Sequence, residues 1–256
     1  MKNDECSSAR AKPEERELIK PDRPRQNQLL ASLPEAQWQR WQPLLEQVDL
    51  PLEMTLQELG SPVQFVYFPT SAIVSLLNVA DGGSPSQIAV VGPEGVVGVS
   101  IFMGGGAAPH QAVVQSAGMG YRMLAEVVKA EFERSDTVMH LMLRYTQALI
   151  TQMSQTAACN RHHSLDQQLC RWLLLLMDRL PDGEVVMTQA LVAHMLCVPT
   201  ELVIEAALEL QLSGLISHGR GRISVLDRPG LERRSCECYG VVKKEYDRLL
   251  PLRGGD

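Results

Sequence analysis

Short apolar runs separated by turn residues dominate the middle of the chain, from about residue 48 to residue 123. Runs such as residues 63–68 and 72–77 are rich in β-branched and aromatic side chains, and prolines and paired glycines interrupt them. Many short strands at this spacing are typical of an antiparallel barrel or roll. A helical stretch with Trp38 and Trp41 precedes them, so we expect the fold to begin near residue 28.

Residues 125–160 instead have apolar positions three and four residues apart, which predicts a long helix. One set of these positions follows a heptad-like spacing: Val138, Met142, Tyr145 and Leu149. A second set lies beside it: Met139, Leu143, Ile150 and Met153. Two adjacent apolar stripes need two covering surfaces, so we expect the roll to cover one stripe and a partner chain the other. We interpret the first set as the dimer seam; the alternative is a helix buried entirely in its own domain.

The last part of the chain predicts two short helices and a hairpin. Thr188 can cap the first helix, a turn falls at residues 197–198, and Pro199 suits the start of the second helix. Residues 215–217 and 222–225 flank a glycine turn, which indicates two paired strands. Helix, tight turn, helix and hairpin in this order form a winged helix-turn-helix.

These patterns predict an α+β fold made of an N-terminal antiparallel β-roll, a long dimerisation helix and a C-terminal winged helix-turn-helix. A capping-box pattern at Ser164 and Gln167 marks the start of the last unit. The predicted domains are a disordered charged tail at 1–27, the roll at 28–134, the dimerisation helix at 135–163, and the winged helix-turn-helix with a C-terminal helix at 164–250.

The composition is that of an ordinary globular protein, with 45% hydrophobic and 21% charged residues. No apolar run approaches the roughly 18 residues that span a bilayer, and no export signal begins the chain, so we expect a cytoplasmic protein without a membrane partner. A net charge of −6 gives no global attraction to nucleic acid, although a local basic patch can supply it.

The six cysteines are scattered through the sequence and predict neither disulfides nor a cofactor. Cys236 and Cys238 are separated by one residue, but no second pair or nearby histidine in the sequence completes a zinc site. His162 and His163 are adjacent and are expected to be polar surface residues at a helix junction. We therefore predict no metal ion.

The order of roll, long helix and winged helix resembles the Crp/Fnr family of bacterial transcription regulators. The resemblance rests on residues 66–69 and 73–76 in the roll, 169–174 in the connecting helix, 187–189, 193, 196, 201, 203 and 215–216 in the last unit, and 236–243 near the end. It implies a homodimer that binds double-stranded DNA at a two-fold related site, with RNA polymerase as a further candidate partner.

Cyclic-nucleotide-binding members of that family hold a phosphate with a Gly-Glu step and an Arg-Ser step. The matching positions here are Gly98-Val99 and Gln111-Ala112. The carboxylate, the cation and the hydroxyl are all replaced, and a buried phosphate needs a cation with aimed donors. We therefore expect a degenerate ligand cassette that binds no cyclic nucleotide. No nucleophile or metalloprotease motif is present, so we do not expect an enzyme.

The resemblance places the DNA contacts on the first helix, the second (recognition) helix at about 199–211, and the wing. The candidate residues are Thr188, Gln189, Thr200, Glu201, Glu205, His218, Arg220 and Arg222. The recognition helix carries three glutamates and neither lysine nor arginine, so its charge repels phosphates. Cys197 stands at the turn, where a left-handed backbone conformation favours glycine.

Two functions remain open. The first is a sequence-specific, dimeric transcription regulator whose roll lacks the phosphate ligands. The second is a dimeric relative that has lost specific DNA binding and acts as an interaction or mixed-dimer module.

Overall fold

The computed structural model describes residues 23–79, 85–180, 184–219 and 221–250. Its N-terminal part is an antiparallel roll of two sheets, which confirms the predicted fold class. The strands are β1 (Glu46–Leu50), β2 (Thr55–Gln57), β3 (Phe65–Pro69), β4 (Ile73–Asn78), β5 (Ser86–Val91), β6 (Gln111–Ser116) and β7 (Gly118–Leu124). One sheet has the order β1-β7-β3 and the other β2-β6-β4-β5.

The folded chain begins earlier than residue 28. Pro24–Gln26 form a 3-10 helix before α1 (Gln28–Ala31) and α2 (Glu35–Trp41). Asn27 is fully buried, accepts hydrogen bonds from the backbone of α1, and donates to the carbonyls of Pro69 and Gly95 at 2.9 and 2.8 Å. The expected tail is therefore wrong at its last residues, because Asn27 satisfies backbone groups of the roll. Residues 1–22 lie outside the described part of the chain.

Two helices follow the roll, α3 (Ala125–Arg134) and the 27-residue α4 (Asp136–His162). The side chains interpreted as the dimer seam are all buried in the chain's own roll core: Val138, Met142, Tyr145 and Leu149. The interpretation of this stripe as the dimer seam is wrong, because the stripe packs against the roll of the same chain. Leu143 and Ile150, from the second stripe, are exposed.

The C-terminal unit contains five helices and three strands in its described residues. They are α5 (Leu165–Met177), β8 (Glu184–Val186), α6 (Gln189–Leu196), α7 (Thr200–Leu212), β9 (Ile216–Gly219), β10 (Arg222–Val225), α8 (Arg228–Arg234) and α9 (Glu237–Leu249). The predicted capping box at Ser164 and Gln167 is present. The strands form one sheet of order β8-β10-β9, so the wing has a third strand beyond the predicted hairpin.

The C-terminal unit packs directly on the four-stranded sheet of the roll. Ile73, Leu77 and Val90 of the roll share one apolar core with helices α5, α6 and α7. Polar groups inside this interface are paired: the Trp172 indole donates to Gln87 Oε1 at 2.7 Å, and Gln87 Nε2 donates to Ser75 Oγ at 2.7 Å. Such satisfied networks fix the relative position of the packed units.

A buried ion pair joins the same two units. Arg179, after α5, donates from Nε to Glu94 Oε1 at 2.7 Å, and both side chains are largely buried. Glu94 Oε1 also accepts from the backbone N–H of Gly92. Removing one partner of a buried pair leaves an uncompensated charge.

We expect Glu94→Gln to lower the free energy of unfolding by about 3–5 kcal/mol, because the Arg179 guanidinium would stay buried without its counter-ion. The control is Glu245→Gln, which breaks the exposed Arg248–Glu245 pair and should leave the free energy of unfolding close to that of the parent. Urea denaturation followed by circular dichroism measures both. Equal losses for the two variants would contradict the assignment of the Glu94–Arg179 pair as a buried tie.

Candidate nucleic-acid interface

Helices α6 and α7 have the geometry of a helix-turn-helix. Thr188 caps α6 as predicted, with its hydroxyl accepting from the Leu191 N–H at 3.2 Å. The two helices meet at 110°, inside the range of known helix-turn-helix units. No single described helix is long and apolar enough to cross a membrane; α6 and α7 pass that test only when taken together as this bent pair.

The turn between the helices is strained at Cys197. Its φ of 57° and ψ of 45° lie in the left-handed region, as expected, and its side chain is exposed. The left-handed conformation destabilises a residue that has a Cβ by about 1–2 kcal/mol. The chain keeps the turn because the N–H groups of Cys197 and Val198 donate to His194 and Ala193 carbonyls at 3.2 and 3.1 Å.

One face of α7 packs on the core and the other is exposed. Val203, Ala207 and Leu210 are buried, so the opposite side chains point outward. Glu201 and Glu205 are exposed, and Thr200 is half-buried. Exposed leucine and isoleucine side chains lie among these glutamates: Leu202, Ile204, Leu208 and Leu212, the last with 79% of its surface accessible. The face is therefore acidic and apolar.

The remaining predicted contact residues belong to α6 and to the wing. Gln189 is half-buried at the start of α6. His218 is half-buried on β9, and its backbone N–H donates to Gln211 Oε1 at 3.0 Å, which ties the wing to α7. Arg222 is exposed at the start of β10. Arg220 lies outside the described residues.

Several basic residues near the wing are engaged with acidic side chains of the same chain. Arg228 pairs with Asp178 and Glu232, and these contacts raise its pKa against the opposing effect of burial. Arg234 pairs with Asp166 at 2.8 Å and with Glu209 at 3.4 Å. Arg171 of α5 is buried and cannot reach a DNA backbone.

The residues of the predicted ligand cassette lie at the start of a 3-10 helix and at the start of strand β6. Gly98 adopts a positive φ of 110° before a 3-10 helix (Val99–Met103), where the buried Val99 follows it. Gln111 Nε2 donates to Glu58 Oε2 at 3.0 Å, and Ala112 is buried inside the sheet. Gln111 thus has the carboxylate of Glu58 as its partner.

A largely apolar cavity of about 440 Å³ lies between the cassette and α4. Its lining comes from the 3-10 helix, from the segment 105–110 and from Thr146, Leu149, Ile150 and Met153 of α4, and includes neither lysine nor arginine. His110 is the titratable residue of the lining, and burial lowers its pKa, which leaves it neutral at pH 7.

A cluster of cysteines and one histidine lies where α4 ends and α9 begins. The ligand atoms of Cys159, His163, Cys236 and Cys238 all lie within 4.8 Å of one another. The expectation that Cys236 and Cys238 have no partners is wrong, and His163 points into this cluster while His162 stays on the surface. The sequence signal that could have found it is the spacing of Cys159 and His163, which a helix brings together one turn apart.

Comparison with known proteins gives two kinds of match. The sequence of residues 167–234 matches the Crp-like helix-turn-helix domain family. No curated protein gives a significant sequence match to the chain.

Solved structures match over most of the chain. FixK2 from Bradyrhizobium japonicum is 15% identical, with a TM-score of 0.64, and the match covers 75% of this chain and 98% of that one. A CRP-family transcriptional regulator from Thermus thermophilus is 18% identical with a TM-score of 0.60, over 73% and 96% of the two chains. The c-di-GMP responsive global regulator CLP of Xanthomonas campestris is 12% identical with a TM-score of 0.61, over 76% and 100%.

These matches confirm the resemblance found in the sequence. The roll, the long helix and the winged unit follow one another along this chain, as in the matched structures. The chain therefore has the fold of the Crp/Fnr transcription regulators and carries a Crp-like helix-turn-helix domain at residues 167–234.

Proposed function

We propose that this protein is a homodimeric, DNA-binding transcription regulator that acts in the cytoplasm and does not bind cyclic nucleotides. The observation that carries the proposal is the Crp-like helix-turn-helix, in which α7 turns an exposed face outward. Double-stranded DNA with a two-fold related site is the partner, and RNA polymerase is a further partner implied by the family resemblance.

The chemistry of α7 favours a second candidate. Its exposed face combines glutamates with leucine and isoleucine side chains, whereas phosphate contacts need cations. Exposed apolar groups rimmed by charge are typical of protein-binding surfaces. The second candidate is therefore a relative that keeps the dimer fold, has lost specific DNA binding, and acts as an interaction or mixed-dimer module.

The dimer surface of the first candidate is the exposed stripe of α4. Met139 is half-buried, and Leu143 and Ile150, seven residues apart, are exposed by 42% and 43%. Heptad spacing of exposed apolar side chains on a long helix suits a parallel helix pair. This stripe replaces the buried set that the sequence suggested.

Leu143→Glu with Ile150→Glu should give a folded monomer, because burying unpaired carboxylates in the seam costs several kcal/mol. Analytical ultracentrifugation measures the mass, and circular dichroism checks the fold. The control is His140→Glu with Thr151→Glu, which adds two glutamates at the polar edge of the same helix and should remain dimeric. A dimeric Leu143/Ile150 variant, or a monomeric parent, would contradict the proposed seam.

Cyclic AMP should show no binding in the micromolar range in isothermal titration, because the cassette and the cavity offer no cation to a phosphate. We expect the same for c-di-GMP, the nucleotide named for the Xanthomonas regulator. A micromolar affinity for either nucleotide would contradict the proposed loss of the phosphate site.

The DNA proposal is tested by selection of binding sites from a random duplex pool, followed by fluorescence anisotropy at several salt concentrations. We expect an enriched two-fold related motif. Thr200→Arg with Glu205→Arg should bind it about tenfold more tightly than the parent, and each added phosphate contact should steepen the log-affinity versus log-salt slope by about 0.9.

The matched control is Thr137→Arg with Glu133→Arg, which makes the same change in charge on exposed positions far from α7. Its affinity and slope should stay near those of the parent. An enriched motif with equal responses of the two double variants would show that α7 does not enter the groove. No enrichment with the parent or with the Thr200/Glu205 variant would overturn the first candidate and favour the second.

A further inference from the structure

We propose that Cys159, His163, Cys236 and Cys238 bind one zinc ion, which ties the end of helix α4 to the start of helix α9. Cys159 lies in the last turn of α4, and His163 is the residue that ends it. Cys236 is the N-cap of α9, and Cys238 lies in its first turn. The proposal is independent of the DNA-binding function, because it concerns ligand chemistry alone.

The distances suit four ligands around a single tetrahedral ion. Cys159 Sγ and Cys236 Sγ are 3.5 Å apart, and Cys238 Sγ and His163 Nδ1 are 3.6 Å apart. Zn–S bonds of about 2.3 Å and Zn–N bonds of about 2.0 Å at tetrahedral angles place ligand atoms about 3.5–3.8 Å from one another. Small movements of the remaining side-chain atoms, all within 4.8 Å, complete that geometry.

The short distances between the ligand atoms favour a single metal ion over a multinuclear cluster. The ligands of an iron–sulfur cluster surround several iron and sulfide atoms and are therefore spread more widely. Three thiolates and one imidazole are the ligand set of structural zinc sites. Because the protein supplies all four ligands, such a site holds no open position for a substrate.

The charge of the site has a matching counter-charge. Zinc with three thiolates carries a net charge of −1, and a buried charge needs a partner. Arg171 is only 5% exposed and interacts electrostatically with all three cysteines. Its Nη2 donates to Thr156 Oγ1 at 2.7 Å, but its buried Nε has no hydrogen-bond partner. Among the described residues no carboxylate pairs with this guanidinium, and the thiolates of a metal site would supply its anionic partner.

Glu237 prepares the histidine for coordination. Its Oε1 lies 3.3 Å from His163 Nε2, while Nδ1 faces Cys238. A proton on Nε2 that is donated to this carboxylate leaves Nδ1 free as a metal ligand, an arrangement that recurs in zinc sites.

Cys170 is a buried cysteine outside the cluster. Cys170 lies in α5 and belongs to a different apolar core, so it serves as the matched control.

The test uses the untagged full-length protein, purified without chelator, with metal content measured by mass spectrometry and by a colorimetric zinc assay after thiol release. We expect one zinc per chain in the parent and in Cys170→Ser, and at least a tenfold loss in Cys238→Ser. Cys238→His keeps a ligand and should retain the metal, which separates coordination from folding. The parent reconstituted with Co²⁺ should show the intense d–d and thiolate charge-transfer bands of tetrahedral coordination.

Three results would overturn the proposal. They are a parent chain that contains no zinc and gives no tetrahedral Co²⁺ spectrum, an unchanged zinc content in Cys238→Ser, and a Cys159–Cys236 disulfide found by thiol counting in protein kept reduced during purification. None of these readouts involves DNA, so failure of the metal site and failure of the proposed regulator function are distinguished.

Discussion

Helix α5 is buried over eight consecutive residues, 169–176, and therefore needs contacts on every side. The roll supplies one side through Ile73, Leu77 and Val90, and the helix-turn-helix supplies the other. This burial places the C-terminal unit against the roll, and it forces the polar groups at the contact to find partners. The Trp172–Gln87 hydrogen bond and the Glu94–Arg179 ion pair satisfy these polar groups. The relative position of the two units therefore depends on α5.

The same scaffold leaves the outer face of α7 open, and the fold alone does not decide how that face is used. A groove-reading helix needs cations and polar donors, whereas this one offers glutamates and exposed aliphatic groups. Two of the three arginines in α8, Arg228 and Arg234, are held in ion pairs with Asp178 and Asp166. Fewer cations are therefore available near this face than the sequence count suggests.

The long helix α4 has three structural roles. Its buried stripe closes the roll, Gln152 ties it to strand β5 by hydrogen bonds to both backbone groups of Val90, and its last turn carries Cys159. The proposed zinc site lies between the end of α4 and the start of α5, at the connection between the roll and the winged unit. A metal ion there would make this connection rigid, because its ligands come from both sides of the junction.

Interactions within four residues were determined by the sequence itself. The Thr188 cap, the Ser164–Gln167 capping box and the strained turn at Cys197 follow from local backbone chemistry, and each was predicted correctly. The order of motifs also determined the fold class. Only the tertiary structure decided which stripe of α4 faces the roll, because two adjacent stripes have similar apolarity and differ only in what packs on them. It also brought Cys159 to Cys236, 77 residues away, since contacts at that separation depend on how the helices pack rather than on local spacing.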